Sequence, residues 1–212
     1  MNTNLPPILD FGSTSNPNNG TLFDTRDGQS YPVVKIGNQI WLAENFRYLP
    51  SIKDKGDLYE EFWTPNGYLE KGYGRFYDWN TANNIAPDGW RLPSSEDFKE
   101  LRDFVKEDNN LARDNDSKVG SCLKSIDGWY KPTHEIEPNN DKYGFNAKST
   151  GFYNVYNTTF NNSPCTFFLS STEESSNSCK NWGFDYDSDG FYSNYYGKQF
   201  GYSVRLIKTI RQ

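Results

Sequence analysis

The sequence predicts an α+β fold. Helical signals fall in the first half of the chain and strand signals in the second, and no βαβ alternation joins them into a parallel sheet. Apolar residues make up only 34% of the chain, with a mean hydropathy of −0.89, while aromatics reach 17%. Phe, Tyr and Trp must therefore build much of the core, each burying more area than an aliphatic side chain. The polar remainder points to many loops and short strands. A length of 212 residues fits one large domain, or one domain with an arm.

Residues 1–20 are rich in Asn, Pro, Ser and Gly and read as an N-terminal arm or linker, ordered where a partner holds it. Residues 21–212 form the domain. Asp27-Gly28 marks a first turn, residues 31–36 a strand, Gly37-Asn38 a second turn and residues 39–43 a second strand, which together make a β-hairpin. Residues 51–74 are a long polar-aromatic insertion. Phe76, Trp79 and Ala82 recur near helical spacing, so residues 76–85 read as a short helix ended by Pro87-Asp88-Gly89. A longer helix follows. Ser94 is a good N-cap with Asp97 three residues on, and Phe98, Leu101, Phe104 and Val105 give one apolar face. Residues 109–117 are a solvated loop. Short strands are expected at 122–124, 144–147, 151–153, 166–171, 181–186 and 202–207.

The net charge is −6, and Lys and Arg are dispersed. Nucleic acid and anionic membrane surfaces both need a basic footprint, so neither is an expected partner. No apolar run approaches spanning length, which argues against membrane insertion, and residues 1–20 lack the basic and apolar regions of a secretory signal. The cysteines are Cys122, Cys165 and Cys179, an odd number that opposes a full disulfide framework. Cys165 and Cys179 flank a loop and can pair; the alternative is three free, partly buried thiols. With a single histidine and no CxxC, a zinc site is not expected, and no cofactor is implied.

The last thirty residues are the most informative for function. Nine of the 21 residues from Trp182 to Tyr202 are aromatic, and nearly all the others are Asp, Asn, Ser or Gly. Binding surfaces use this mixture: Tyr and Trp give contact area at low entropy cost, and the small polar residues give adaptable hydrogen bonds. The candidate ligand-binding residues run from Asp185 to Gln199. Tyr186, Phe191, Tyr192, Tyr195 and Tyr196 are to supply stacking area, and Asp185, Asp187, Asp189, Asn194, Lys198 and Gln199 polar contacts. Asp185-Tyr186-Asp187-Ser188-Asp189-Gly190 fits the opening of a calcium loop, but its twelfth position is Tyr196 rather than Glu, so the preferred reading is a strand leading into an Asp-Gly turn. His134 sits in a polar loop with no nucleophile elbow to serve, and the adjacent Glu173 and Glu174 need not converge on one substrate.

Several ordered blocks then coincide. Residues 24–31 are followed by Val34-Lys35-Ile36-Gly37-Asn38-Gln39-Ile40-Trp41-Leu42-Ala43-Glu44-Asn45, then by Gly74-Arg75-Phe76-Tyr77-Asp78-Trp79 and Ala86-Pro87-Asp88-Gly89-Trp90-Arg91-Leu92-Pro93-Ser94. Leu123-Lys124-Ser125 with Gly128-Trp129, residues 143–147, Leu169-Ser170-Ser171-Thr172-Glu173 and Gly201-Tyr202-Ser203-Val204-Arg205 complete the set. From about residue 21 to about 208 the chain resembles the Fibrobacter succinogenes major paralogous domain family. That family looks like a branch of the C-type lectin fold. The resemblance implies small antiparallel sheets, two helices and long irregular loops, with the early hairpin joining the strand at 203–207. It implies framework roles for Trp41, Trp79, Trp90, Trp129 and Trp182. Family members are mostly surface-exposed or secreted and have no established chemistry. Related domains form receptor-binding tips of phage tails, some diversified in a C-terminal stretch of similar composition. The formylglycine-generating enzymes share the fold class and use a cysteine pair, but Cys165 and Cys179 lack the expected Trp- and Arg-rich surroundings. The expectation is a non-enzymatic binding protein of a virion or cell surface, with a cell-surface protein or glycan receptor as partner. A homo-oligomer or virion partner would engage through the arm, and the alternative is a structural subunit using the same surface as an interface.

Overall fold

The computed structural model describes residues 8–10, 19–49, 72–111, 118–156, 159–161 and 164–208. Most of the arm, residues 51–71 of the insertion and residues 112–117 of the loop after the Ser94 helix lie outside them. Among the described residues the chain mixes α and β structure, with mostly antiparallel sheets and few helices.

The first sheet grows from the predicted hairpin. Strands β1 (Ile8–Asp10), β2 (Asn19–Asp24), β3 (Gln29–Ile36) and β4 (Gln39–Leu42) pair in order, each antiparallel to the next. Ile8–Asp10, inside the predicted arm, is thus a strand held by the domain itself. Burial alternates along β2, as a half-buried strand requires. The β3–β4 turn needs glycine twice over. Gly37 has φ +59°, and a Cβ there would come within 2.9 Å of the Phe104 ring.

Next come β5 (Phe76–Tyr77), the short helix α1 (Trp79–Ala82), β6 (Trp90–Arg91) and the long helix α2 (Ser95–Asp108). Residues 76–85 are therefore not one helix. Phe76 and Tyr77 are drawn into a sheet by Tyr202 and Ser203, and the Asp78 carboxylate caps α1 by accepting from the Thr81 amide. Tertiary pairing overrides the 3.6-residue spacing. The α2 start is as predicted, with a reciprocal capping box between Ser94 and Asp97. Asp97 also takes two hydrogen bonds from Arg91, at 2.6 and 2.7 Å. Burial pushes this carboxyl up, but the bonds from Arg91 and Ser94 outweigh it and hold the group below its ordinary 3.8. A depressed folded pKa contributes stability that is present above about pH 4 and is lost as pH falls through the lower value. Asp97→Asn is expected to cost about 1 kcal/mol at neutral pH and to flatten the acid limb of a stability–pH curve below pH 4. An unchanged acid limb in urea titrations would remove Asp97 from that role.

Helix α3 (Val119–Leu123) replaces the strand expected at 122–124; only Lys124 makes a bridge, to Ala147. Then follow β7 (Phe152–Asn154) with β8 (Thr159–Asn161) as a hairpin, β9 (Cys165–Glu173), β10 (Ser178–Asp185), β11 (Tyr192–Gly197), β12 (Tyr202–Ser203) and β13 (Ile207–Lys208). A second sheet runs in the order β11-β10-β9-β12-β5, with β12 parallel to β9. The strand predicted at 202–207 is split between the two sheets. β13 joins the first sheet between β4 and β6, with Ile207 opposite Trp41, while the Leu42 and Phe46 amides donate to the Leu206 and Val204 carbonyls. The early hairpin and the end of the domain therefore meet, as the resemblance implied.

Helix α2 covers both sheets. Phe98, fully buried, lies 5.2 Å from Trp41 on the first sheet and 6.4 and 6.2 Å from Phe168 and Trp182 on the second. Trp41, Trp90 and Trp182 are buried, and Trp79 and Trp129 pack partly buried against the same clusters. Arg205, between β12 and β13, is 1% exposed. Its guanidinium donates to Asn45 Oδ1 (2.7 Å), the Leu42 carbonyl (3.1 Å), the Asn146 carbonyl (2.9 Å) and the Phe145 carbonyl, and it faces the Phe145 and Phe168 rings.

Candidate functional site

Strands alternate their side chains between two faces, so a run of aromatics along one strand cannot form one surface. In β11 the register places Tyr192, Asn194 and Tyr196 opposite Gly183, Asn181 and Cys179, while Ser193, Tyr195 and Gly197 lie opposite Trp182, Lys180 and Ser178. The sequence neighbours Tyr195 and Tyr196 consequently point to opposite faces. Tyr195 stands alone, 66% exposed, with the Lys180 ammonium 6.0 Å from its ring and that ammonium paired to Glu174 at 2.8 Å.

The other face carries an aromatic shelf. Tyr192 and Tyr196 lie 6.5 and 5.4 Å from Phe167 on β9, and Tyr196 is 5.8 Å from Tyr202. Tyr202 stacks on Phe152, Phe152 meets Phe200 edge to face, and Tyr156 closes the row 5.3 Å from Phe200. Gly183 makes this packing possible: a Cβ there would come within 2.4 Å of both the Phe167 ring and the Thr166 carbonyl. The inner rings, Phe167 and Tyr202, are buried, whereas Tyr196 is 38% and Tyr156 76% exposed. Polar groups rim the shelf. Gln199 Nε2 donates to the Tyr156 hydroxyl at 2.7 Å, and the Tyr192 hydroxyl donates to Asp185 Oδ2. Burial, then that carboxylate, raises the Tyr192 phenol well above its ordinary pKa, so it stays a donor.

The remaining predicted residues hold structure. Phe191 is fully buried, stacked 4.4 Å from Phe184 and 5.1 Å from Trp182, because the chain turns inward before β11 begins. It belongs to the core and not to a ligand surface. Lys198 lies 4.3 Å over Trp79, donates to Glu173 and to the Ser176 carbonyl, and is largely covered. The acidic loop is stapled from below by Lys124. This buried ammonium donates to the Asp185 and Ser188 carbonyls at 2.5 and 2.6 Å and sits 4.8 Å over Trp129. Burial pulls its pKa down to about 8 against the opposing pull of Asp189, Asp185 and Asp187. Among the described residues no group of three or more His, Cys, Asp or Glu is placed to hold a metal. Residues 130–137 lie along the same loop. His134 Nε2 bonds the Asp187 carbonyl, the Glu137 amide donates to Asp189 Oδ2, and the Tyr130 ring meets Tyr186 edge to face at 6.4 Å.

Glu173 pairs with Lys198 and Glu174 with Lys180, so the adjacent carboxylates diverge. Cys165 lies opposite Asp185 at one end of the β9–β10 ladder and Cys179 opposite Glu173 at the other, too far apart to bridge; none of the three cysteines forms a disulfide, and all are buried. Burial pushes the Cys179 thiol up to about 12 and raises Cys122, which disfavours reactive thiolates.

Of the predicted residues, the structure brings Asp185, Tyr192, Asn194, Tyr196 and Gln199 to the shelf. Asp187 and Asp189 stay with the stapled loop, and Tyr186 sits there against Tyr130. Sequence reasoning missed Phe152, Tyr156, Phe167, Phe200 and Tyr202. The signal was present in residues 151–157, Gly-Phe-Tyr-Asn-Val-Tyr-Asn, which repeat the aromatic and Asn composition of the C-terminal stretch. The family model of the Fibrobacter succinogenes major domain matches residues 34–208. No curated protein and no solved structure matches the chain.

Proposed function

The chain belongs to the Fibrobacter succinogenes major domain family, and from that footing we propose that it is a non-enzymatic binding protein with a C-type lectin-like fold whose ligand docks on the aromatic shelf. One observation carries this reading. Tyr196, exposed, is anchored on the buried Phe167 and Tyr202, and Tyr156 extends the row through the half-buried Phe200, with polar groups at the rim; exposed aromatics held by packed neighbours are what binding hot spots are made of. The receptor class is a cell-surface protein or a glycan, and the setting a virion or cell surface. The test is a Tyr156→Ala/Tyr196→Ala double variant, assayed on a glycan array and on immobilised bacterial outer-surface extract. Binding is expected to fall at least tenfold with little change in melting temperature, because aromatic hot spots carry about 2 kcal/mol or more. Wild-type protein that binds neither probe, or a double variant that binds equally well, would refute the proposal.

The edge position of β11 favours a second reading. Among the described residues this strand ends its sheet, and residues 192–197 contain no charged residue and no proline to blunt the edge. An assembly subunit could extend its sheet there through another chain. A shift in oligomeric state on mutating Tyr195, with shelf binding unchanged, would favour that role.

A further inference from the structure

The free side of β11 is legible group by group. In an antiparallel ladder, residues that exchange both backbone bonds with their partner alternate with residues whose N–H and C=O point the other way. The β10–β11 register runs unbroken from Ser178↔Gly197 to Gly183↔Tyr192, and two bonds fix its phase. The Lys198 amide donates to the Asn177 carbonyl at 3.0 Å, one step beyond Gly197↔Ser178 in the same register. On the far side of β10, the Glu174 amide donates to the Ser178 carbonyl at 3.0 Å, so Ser178 faces β9 and Cys179 faces β11. Both bonds require the same phase. Tyr192, Asn194 and Tyr196 bond inward to Gly183, Asn181 and Cys179, while Ser193, Tyr195 and Gly197 turn their backbone groups out of the sheet. The Gly197 carbonyl already accepts from the Phe200 amide at 3.2 Å. Ser193 and Tyr195, both exposed, keep an N–H and a C=O each on the open edge among the described residues.

This pattern is its own complement. A two-fold axis through Asn194 sets Ser193 of one copy against Tyr195 of the other, twice, and every one of these outward groups gains a partner. Neighbouring registers do worse. A one-residue slip sets outward groups against inward ones, and an axis through Tyr195 calls on the Gly197 carbonyl that Phe200 uses. No like charges meet, because residues 192–196 are Tyr, Ser, Asn, Tyr and Tyr. On the face away from the shelf, Tyr195, 66% exposed, lies diagonal to its own symmetry mate, at the ~7–8 Å that aromatic side chains span. On the shelf face, Tyr192 comes opposite the mate of Tyr196, so the two shelves run on into each other.

We propose that β11 binds a second copy of this chain, edge to edge and antiparallel about Asn194, to form a two-fold dimer. This deepens the assembly reading above and rests on it. An interface of one short strand from each copy is small, so the dimer is reversible and concentration-dependent.

Sedimentation velocity of the full chain, from micromolar to millimolar concentration, should show a monomer–dimer equilibrium. Ser193→Pro and Tyr195→Pro are informative variants, because each removes an outward N–H while the bonds to β10 are made by other residues. Tyr195→Lys keeps the amide and places a charge on the edge, so it serves where a proline variant fails to fold. Each should weaken the dimer tenfold or more, with Tyr195→Lys melting as wild type does. Asn194→Cys reads the register. Across the axis the two copies of residue 194 form a non-hydrogen-bonded pair with Cα atoms about 4.5 Å apart, within reach of a disulfide. Mild oxidation should cross-link Asn194→Cys chains far more readily than Tyr195→Cys chains. The inference is overturned if Tyr195→Cys cross-links as well as Asn194→Cys. A chain that stays monomeric at millimolar concentration overturns the second copy as occupant and leaves the assembly reading to a different chain. A dimer that persists in all three edge variants overturns both.

Discussion

Arg205→Met is expected to destabilise the protein by about 3 kcal/mol or more. The argument weighs two opposed effects. A fully buried guanidinium is expensive, several kcal/mol after relaxation, and burial here drags its pKa down to about 9. Removing the charge removes that cost. Four buried acceptors, on Asn45, Leu42, Phe145 and Asn146, would then lose their donor, at about 1–3 kcal/mol for each left unsatisfied. Toward the middle of that range the four acceptors together cost about 8 kcal/mol, which outweighs, by about 3 kcal/mol, the several kcal/mol of desolvation gained back. Arg205→Lys is no rescue, because an ammonium cannot reach four acceptors spread around a planar fork. Guanidinium chloride unfolding of the full chain measures the difference. A loss under 1 kcal/mol would mean that water replaces the guanidinium.

This residue marks where the sequence stopped being legible. The hairpin at residues 31–43 and the Ser94 helix were readable because their signals are local: turn glycines, a capping box and an apolar face. Joining of the chain's two ends followed from the resemblance. Arg205 carries no local signal for burial, since arginine is ordinarily a surface residue and its partners lie about 60 and 160 positions away. Residues 76–77 failed for the same reason in reverse. Their helical spacing is local, but a distant strand claims them. The candidate site was half legible. Composition found the C-terminal aromatics, yet only the register of β10 and β11 reveals which face each ring takes, and only the fold brings Tyr156 and Phe200 beside Tyr196. The lysine beneath the acidic loop was invisible, because Lys124 and Asp185 are 61 residues apart.

Phe191→Ala and Tyr195→Ala, four residues apart, should behave as opposites. Phe191 is fully enclosed by Phe184, Trp182 and Phe98, with ring centroids 4.4, 5.1 and 5.9 Å away. Deleting it leaves a cavity bounded by three rings that belong to both a helix and a sheet and so cannot collapse together. The expected cost is about 3–5 kcal/mol, and each aromatic pair lost adds to the transfer term. Tyr195 is 66% exposed on an edge strand, so its removal should change stability by no more than about 0.5 kcal/mol. The pair separates composition from position, since both residues sit in the same Tyr-, Phe- and Asn-rich stretch. Denaturant midpoints for the two variants decide the matter. If Phe191→Ala unfolds no more easily than Tyr195→Ala, the turn after Asp189 can swing outward, and Phe191 would return to the ligand surface from which its burial now removes it.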